Sequence, residues 1–269
     1  MGNQSLADMA DNPFTIEQWL TSLLLANKTK AHLKALLHRL FEYAMKWKLL
    51  ALQRNPIELV EIKGGTKRVK RPRILTVQEF HKLLPLLPEP YRTMVIVAQC
   101  LGLRVSEILA LKWCDVNFEQ LTITAQRAVV CGRVDAVKTE YSEDVLPLDP
   151  DFAAILLDWQ RQCPKSPDGW MFPNPRNLKP YHASPIQQDY IRMTGRQLGL
   201  GNIGWHTFRH TYRSWLDATG APMGVQQKLM RHAQISTTMN IYGDALLESK
   251  REANSKVVGM LRPILVSTK

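Results

Sequence analysis

Six side chains in this 269-residue sequence are of types that could act together on one phosphate. Arg104 stands in Leu101-Gly102-Leu103-Arg104-Val105-Ser106-Glu107-Ile108-Leu109-Ala110-Leu111, and His206, Arg209 and His210 stand in His206-Thr207-Phe208-Arg209-His210-Thr211. His232 opens the run His232-Ala233-Gln234-Ile235-Ser236-Thr237-Thr238-Met239-Asn240-Ile241-Tyr242. Two guanidinium groups can hold the non-bridging oxygens of a phosphodiester through forked, charge-assisted hydrogen bonds. A phenol nearby can attack the phosphorus, but its unperturbed pKa of about 10 means that it needs a base and a favourable field. Donors aimed at developing charge are worth roughly 2.7–4 kcal/mol each in oxyanion holes. Such a set could break a nucleic-acid strand by doing the work a metal does elsewhere.

Each group also has a plainer reading. Arg104 precedes a helix predicted at about residues 106–113 and capped by Ser106, where an arginine can snorkel or join the free amides in favouring an anion. His206, Arg209 and Arg213 fall at i, i+3 and i+7 and share one helix face, ordinarily a solvated basic stripe. His206 and His210 are one turn apart, as zinc ligands can be. Thr207, however, stands where the zinc-protease helix needs Glu, and no acidic third ligand is nearby, so no metal or other cofactor is expected. Residues 220–242 could form a helix-turn-helix that reads DNA without chemistry.

The elements that must position these groups follow from periodicity. Residues 1–12 are polar and expected to be loose. Residues 15–52 are helical in pattern, with Trp19, Leu20, Leu23 and Leu24 and then Leu33, Leu36, Leu37, Leu40 and Phe41 at helix spacing. Asn27 or Thr29 would cap the second helix, which also carries Lys28, Lys30, Lys34, His38 and Arg39, and Asn55-Pro56 closes the region. Beyond it, Thr76-Val77-Gln78-Glu79 fits a capping box. Helices are predicted near residues 90–99 and 106–113, and short strands at 121–130, 135–139 and 144–148. A helix from Asp149 or Pro150 to about 162 precedes a Pro- and Gly-rich loop over 163–182. Ser184-Pro185 starts another helix, and two more follow at 206–216 and 222–232, broken by Gly220. The fold class is mainly α with a small antiparallel β-sheet, an α+β arrangement.

Charge narrows the partner. The net charge is +11, and residues 1–73 hold 13 Lys and Arg against 6 Asp and Glu. Six cations fall within residues 63–73, at Lys63, Lys67, Arg68, Lys70, Arg71 and Arg73, with no apolar periodicity. Packed so closely, they repel one another unless a polyanion neutralises them, so this linker reads as a strap along a phosphate backbone. The longest apolar run, near residues 94–100, is too short to span a bilayer, which favours nucleic acid over membrane. The four cysteines include no Cys-x-x-Cys pair; Cys100 and Cys114 are set in apolar or helical surroundings, and reduced thiols in the cytoplasm are expected.

Together these motifs resemble the tyrosine recombinases, or phage integrases, over residues 75–247 and more weakly over 15–62. The first box of that family matches Leu101 to Leu111, its second matches His206 to Thr211 in full, and its third matches His232, the Ile-Ser-Thr-Thr run and Tyr242. Val137-Lys138-Thr139-Glu140-Tyr141-Ser142 looks like the family's β-hairpin lysine segment. Relatives often carry Gly where Arg231 stands, and Arg where Asp144 stands. The implied domains are a short, possibly truncated helical core-binding domain (1–62), the basic linker (63–74), and a catalytic domain with a C-terminal tail (75–269).

The resemblance implies a site-specific recombinase of a phage or mobile element, acting through a 3′-phosphotyrosyl intermediate without metal or ATP. Tyr242 would be the nucleophile, Arg104 and Arg209 the phosphate clamp, Lys138 the general acid, His206 the base and His232 a phosphate donor. Glu107 and His210 would orient neighbours. Lys28, Lys30, Lys34, Lys67, Arg68, Lys70 and Arg71 would contact double-stranded DNA in the nucleoid, giving salt-dependent affinity. The family acts as tetramers on two DNA sites, with which accessory DNA-bending proteins are compatible. The competing readings are a DNA-binding protein without catalysis, either a regulator or a decayed integrase, and a topoisomerase using the same residues. Residues 245–269 could dock on a neighbouring subunit or fold back on their own domain.

Overall fold

The computed structural model describes residues 5–64, 73–136, 144–231 and 251–260. The chain forms two compact units, Met1–Arg71 and Pro72–Lys269.

In the first unit, α1 (Leu6–Asp11) occupies a stretch expected to be loose. Its start is fixed by a reciprocal cap: the Asp8 amide donates to Ser5 Oγ at 3.1 Å and the Ser5 amide to Asp8 Oδ2 at 3.1 Å. Helix α2 (Pro13–Ser22) begins with Pro at its first position, where the missing N–H is not needed. Helix α3 (Asn27–Lys46) has Ala26 at its N-cap with no side-chain hydrogen bond, so neither Asn27 nor Thr29 caps it. It ends six residues before the predicted limit of 52, and Lys48 just beyond adopts φ 58°. Ile16, Leu20, Phe41, Ile57 and Val60 form the unit's core. Only part of the predicted apolar stripe faces it; Leu36 is 58% and Leu40 47% exposed. Asn55 does more than end a helical region. Its side chain donates to the His38 carbonyl at 2.9 Å and accepts from the Ile57 amide at 3.1 Å, setting a 3-10 turn at Pro56–Leu59.

The second unit opens with the predicted capping box, in which the Glu79 amide donates to Thr76 Oγ1 at 3.1 Å and the Thr76 amide to Glu79 Oε2 at 2.9 Å. Helix α4 (Val77–Leu83) follows, then α5 (Tyr91–Leu101) and the one-turn α6 (Val105–Ile108). Strands β1 (Val116–Asn117), β2 (Thr122–Ala125), β3 (Arg127–Val130), β4 (Arg133–Ala136) and β5 (Asp144–Pro147) make two antiparallel sheets. One has the order β1-β2-β5, with Ile123 opposite Leu146 and Thr124 opposite Val145; the other is the β3-β4 hairpin, with Val129 opposite Val134. The single strand predicted over 121–130 is therefore two. The ladder breaks at Gln126, whose side chain donates to Asp115 Oδ1 at 2.8 Å, while Arg127 pairs with the same carboxylate at 2.5 Å. The hairpin turns at Cys131 and Gly132, both at positive φ as two-residue hairpin loops require.

Helix α7 (Pro150–Gln162) is capped by Asp149, which accepts from the Asp151 amide at 2.9 Å. The loop after it pairs back through Lys112 opposite Trp170 and Pro173 opposite Pro180. Helix α8 (Ala183–Ile186) runs through a π turn at Gln187–Arg192 into α9 (Met193–Gln197), and α10 (Trp205–Ala218) and α11 (Met223–Met230) complete the frame. A last helix, α12, spans residues 251–260. Its Ala253, Val257 and Val258 join the core of the second unit, so these ten residues pack in cis. Among the described residues no helix is long and apolar enough to cross a membrane. All four cysteines are free; Cys100 is buried, but Cys114 is exposed because α6 stops early and leaves it in a 3-10 turn at Trp113–Asp115.

Candidate active site

Helix α10 is the central support. Trp205, Phe208, Tyr212, Trp215 and Leu216 lie on its buried face, and each such side chain stabilises the fold by about 1.5–3 kcal/mol. Phe80 of α4 packs edge-on against Phe208 and Trp215, with ring centroids 6.1 and 5.8 Å away. The Leu75 amide donates to Thr211 Oγ1 at 3.0 Å, and Trp215 Nε1 donates to the Leu75 carbonyl at 3.1 Å. The middle and C-terminal half of α10 are thus fixed, and Arg209 beside these contacts has little freedom.

Helix α5 ends at Gly102, which adopts φ 61°. A Cβ there would run into the Tyr212 ring, so the residue must be Gly on grounds of both backbone and space. Tyr212 is buried and donates from its hydroxyl to Asn254 Oδ1 at 2.9 Å, tying α10 to α12. Burial raises the Tyr212 phenol above its ordinary range, which suits a hydrogen-bonded structural tyrosine.

The close turn at Gly102 delivers the first two site residues. The Gly102 carbonyl accepts from Arg209 Nη1, and the Met230 carbonyl, at the end of α11, accepts from Arg209 Nη2. Arg209 is 6% exposed and so is no part of a solvated stripe. Desolvation, then the like charge of Arg104, lowers its pKa to about 10, and it stays protonated at neutral pH. A guanidinium has five N–H donors, and these two carbonyls use only two of them.

Arg104 is itself the N-cap of α6, where Ser106 was expected. Its amide donates to Glu107 Oε2 at 2.7 Å and its Nη1 to Glu107 Oε1 at 3.0 Å. The Arg104 side chain is 40% exposed, so the guanidinium is held through Nη1 while its outer side stays open to a ligand. With only four residues, α6 has no extended array of amides for an anion; the arginine supplies the charge. Glu107 is buried and also accepts from Arg231 Nη2. Burial pushes the Glu107 carboxyl up, but Arg231 and Arg104 outweigh it and hold the group below its ordinary value.

Arg231 is the participant that sequence reasoning missed. It follows α11 in the left-handed region at φ 49° and is buried. Its standing where relatives often carry Gly was a visible signal, but only the fold shows that its side chain turns toward Glu107.

His206 is exposed on the first turn of α10 and His210 half-buried, with ring centroids 6.4 Å apart. In the first unit, Lys28 is exposed and Lys34 half-buried on α3. Lys30 departs from its expected role as a DNA contact: it is buried and donates to the Thr21 carbonyl at 2.6 Å, bracing α3 on α2. The structure brings Arg104, Glu107 and Arg209 together. Lys138, His232 and Tyr242, with Lys67, Arg68, Lys70 and Arg71, lie outside the described residues.

A model of the phage integrase family matches residues 73–248. A tyrosine recombinase of Pseudothermotoga lettingae is 26% identical over 249 residues, covering 90% of this chain and 81% of its own. The ICEBs1 integrase of Bacillus subtilis is 24% identical over 252 residues, covering 88% and 67%. Among solved structures, the Tn1549 transposon integrase in complex with circular intermediate DNA superposes with a TM-score of 0.70 at 19% identity, over 94% of this chain and 87% of that one.

Proposed function

The chain belongs to the phage integrase family of tyrosine recombinases, and on that basis we propose that Arg104 and Arg209 clamp a DNA phosphodiester while Tyr242 attacks it. The Tyr242 oxygen forms the new bond to phosphorus, the bond to the 5′ oxygen breaks, and a 3′-phosphotyrosyl link stores the bond energy. His206 takes the phenolic proton and Lys138 gives one to the leaving oxygen. His232 donates to a phosphate oxygen, and His210 orients its neighbours. Attack by a second 5′ hydroxyl reverses the step and rejoins the strands, so neither ATP nor a metal enters the balance.

The observation that best supports this reading is the placement of Arg209. One guanidinium holds the carbonyls of Gly102 and Met230, and so draws the Arg104 turn and the end of α11 to the same point. A purely DNA-binding helix would leave its arginines at the surface. We further propose that the chain acts as a tetramer on two duplex sites, with phosphate contacts from Lys28, Lys34 and the linker cations making affinity fall steeply with salt.

The test is to incubate the protein with a library of nicked duplexes of random core sequence and look for an SDS-resistant adduct. The nick lets the cleaved fragment diffuse away and traps the intermediate. An adduct mapped to Tyr242, absent in Tyr242→Phe although that variant still binds DNA, is the expected result. An equal adduct yield from Tyr242→Phe excludes this nucleophile. Salt-sensitive binding with no adduct from the parent favours the binding-only reading.

A further inference from the structure

We infer that Arg231 is a positioning residue for strand cleavage, sharing the Glu107 carboxylate with Arg104 and so fixing the first arm of the phosphate clamp. The inference rests on the cleavage reading above.

Two costs meet at this residue. A non-glycine side chain in the left-handed region is strained, and a helix end of this kind is more easily closed by Gly. Burying a guanidinium adds a further cost unless it is paired. Arg231 nevertheless holds φ 49° with its side chain 1% exposed, one residue before His232. What offsets these costs is the division of one carboxylate. Glu107 Oε1 takes the Arg104 guanidinium, and Oε2 takes the Arg104 amide and the Arg231 guanidinium.

This arrangement keeps Glu107 ionised in a place where burial favours the protonated form. A protonated carboxyl accepts fewer hydrogen bonds and attracts Arg104 less, so Arg104 would swing more freely. The three guanidinium groups around one carboxylate leave a local charge of about +2. The ground-state phosphodiester carries a single negative charge, and more builds on its oxygens during attack, so the surplus acts chiefly on the transition state. Among the described residues, the charged groups facing Glu107 are Arg104 from the α5–α6 turn, Arg209 from α10 and Arg231 from the end of α11. On β3, which packs against α6, Arg127 is turned to Asp115 instead.

The experiment uses full-length Arg231→Met, Arg231→Lys and the double variant Arg231→Met/Glu107→Gln. A nicked duplex on which the parent forms an adduct is the probe. Adduct-formation rate, duplex affinity and thermal midpoint are measured from about pH 5 to pH 8. Arg231→Met is expected to slow adduct formation about 10- to 100-fold at unchanged affinity, as loss of an orienting partner does. The defect should deepen as pH falls, because Glu107 then takes up a proton more readily, and Arg231→Lys should recover part of the rate. The double variant should melt above Arg231→Met, since it removes a buried carboxylate that has lost one of its two guanidinium partners. Parental rates in Arg231→Met at every pH overturn the positioning role. If Arg231→Met does not fold, the uncharged Arg231→Gln takes its place, and a parental rate and pH profile in that variant overturn the role as well. If the parent forms no adduct on any duplex, the cleavage reading and the positioning role both fail. The midpoints then still report on the Arg231–Glu107 pair.

Discussion

Helix α10 holds its central arginine among backbone carbonyls, whereas α3 leaves most of its cations at the surface. Both helices carry Lys, Arg or His about one turn apart, and from the sequence both read as basic faces. The difference lies in what surrounds them. Arg209 is buried on the flank of an aromatic face and meets the carbonyls of Gly102 and Met230. Lys28 and Arg39 of α3 are exposed, and Lys34 is half-buried. Lys30 alone behaves like Arg209, spending its charge on the Thr21 carbonyl. A buried cation with named acceptors is held in one geometry, as chemistry requires. An exposed one adds to an electrostatic field but fixes little.

The contrast can be broken most severely at Arg209. Arg209→Ala should lower the rate of adduct formation about 10²- to 10³-fold, the effect of losing one preorganised donor to developing charge. A single-turnover assay on a nicked duplex reads this, and a rate within a few-fold of the parent would refute the clamp. Next in size is Gly102→Ala, which places a methyl on the Tyr212 ring in a left-handed backbone. A loss of about 3 kcal/mol is expected in denaturant unfolding. An unchanged midpoint would mean that the turn delivering Arg104 tolerates relaxation.

The folded Glu107 carboxyl sits below its unfolded value, so its stabilisation is present above about pH 4.3 and is lost as pH falls through the lowered folded value. Glu107→Gln should therefore flatten the acid limb of the stability profile, read as unfolding midpoints down to about pH 3; an acid limb matching the parent's would show that other carboxylates govern it. The smallest effects belong to α3. Lys28→Ala should leave stability within about 0.5 kcal/mol and reduce the salt slope of DNA affinity by about one. Lys30→Ala should do the reverse, costing about 1 kcal/mol with the slope unchanged. A swapped pattern would show that α3 presents a different face to DNA.

The Thr76–Glu79 cap, the turn at Gly102 and the helix starting after Asp149 were all legible, because each depends on a few neighbouring residues. The helix expected over 106–113 collapsed to Val105–Ile108, since Arg104 and Glu107 cap each other and Trp113–Asp115 turns to meet Gln126 and Arg127. The strand expected over 121–130 split for the same reason, through an acceptor at Asp115 more than ten residues away. Residues 6–11 form a helix because Ser5 and Asp8 satisfy each other, a cap hidden in a stretch that looked merely polar.

The family and the class of chemistry were readable from the sequence alone, and so were Arg104, Glu107 and Arg209 as the candidates that the fold brings together. Motifs of fixed spacing carry that information locally. The tertiary structure decided how the arginines divide the acceptors: Arg209 on two carbonyls, Arg104 and Arg231 on one carboxylate, Lys30 withdrawn from the surface. Those partners lie up to 124 residues apart in the chain, and a buried charge takes whichever acceptor packing brings within reach.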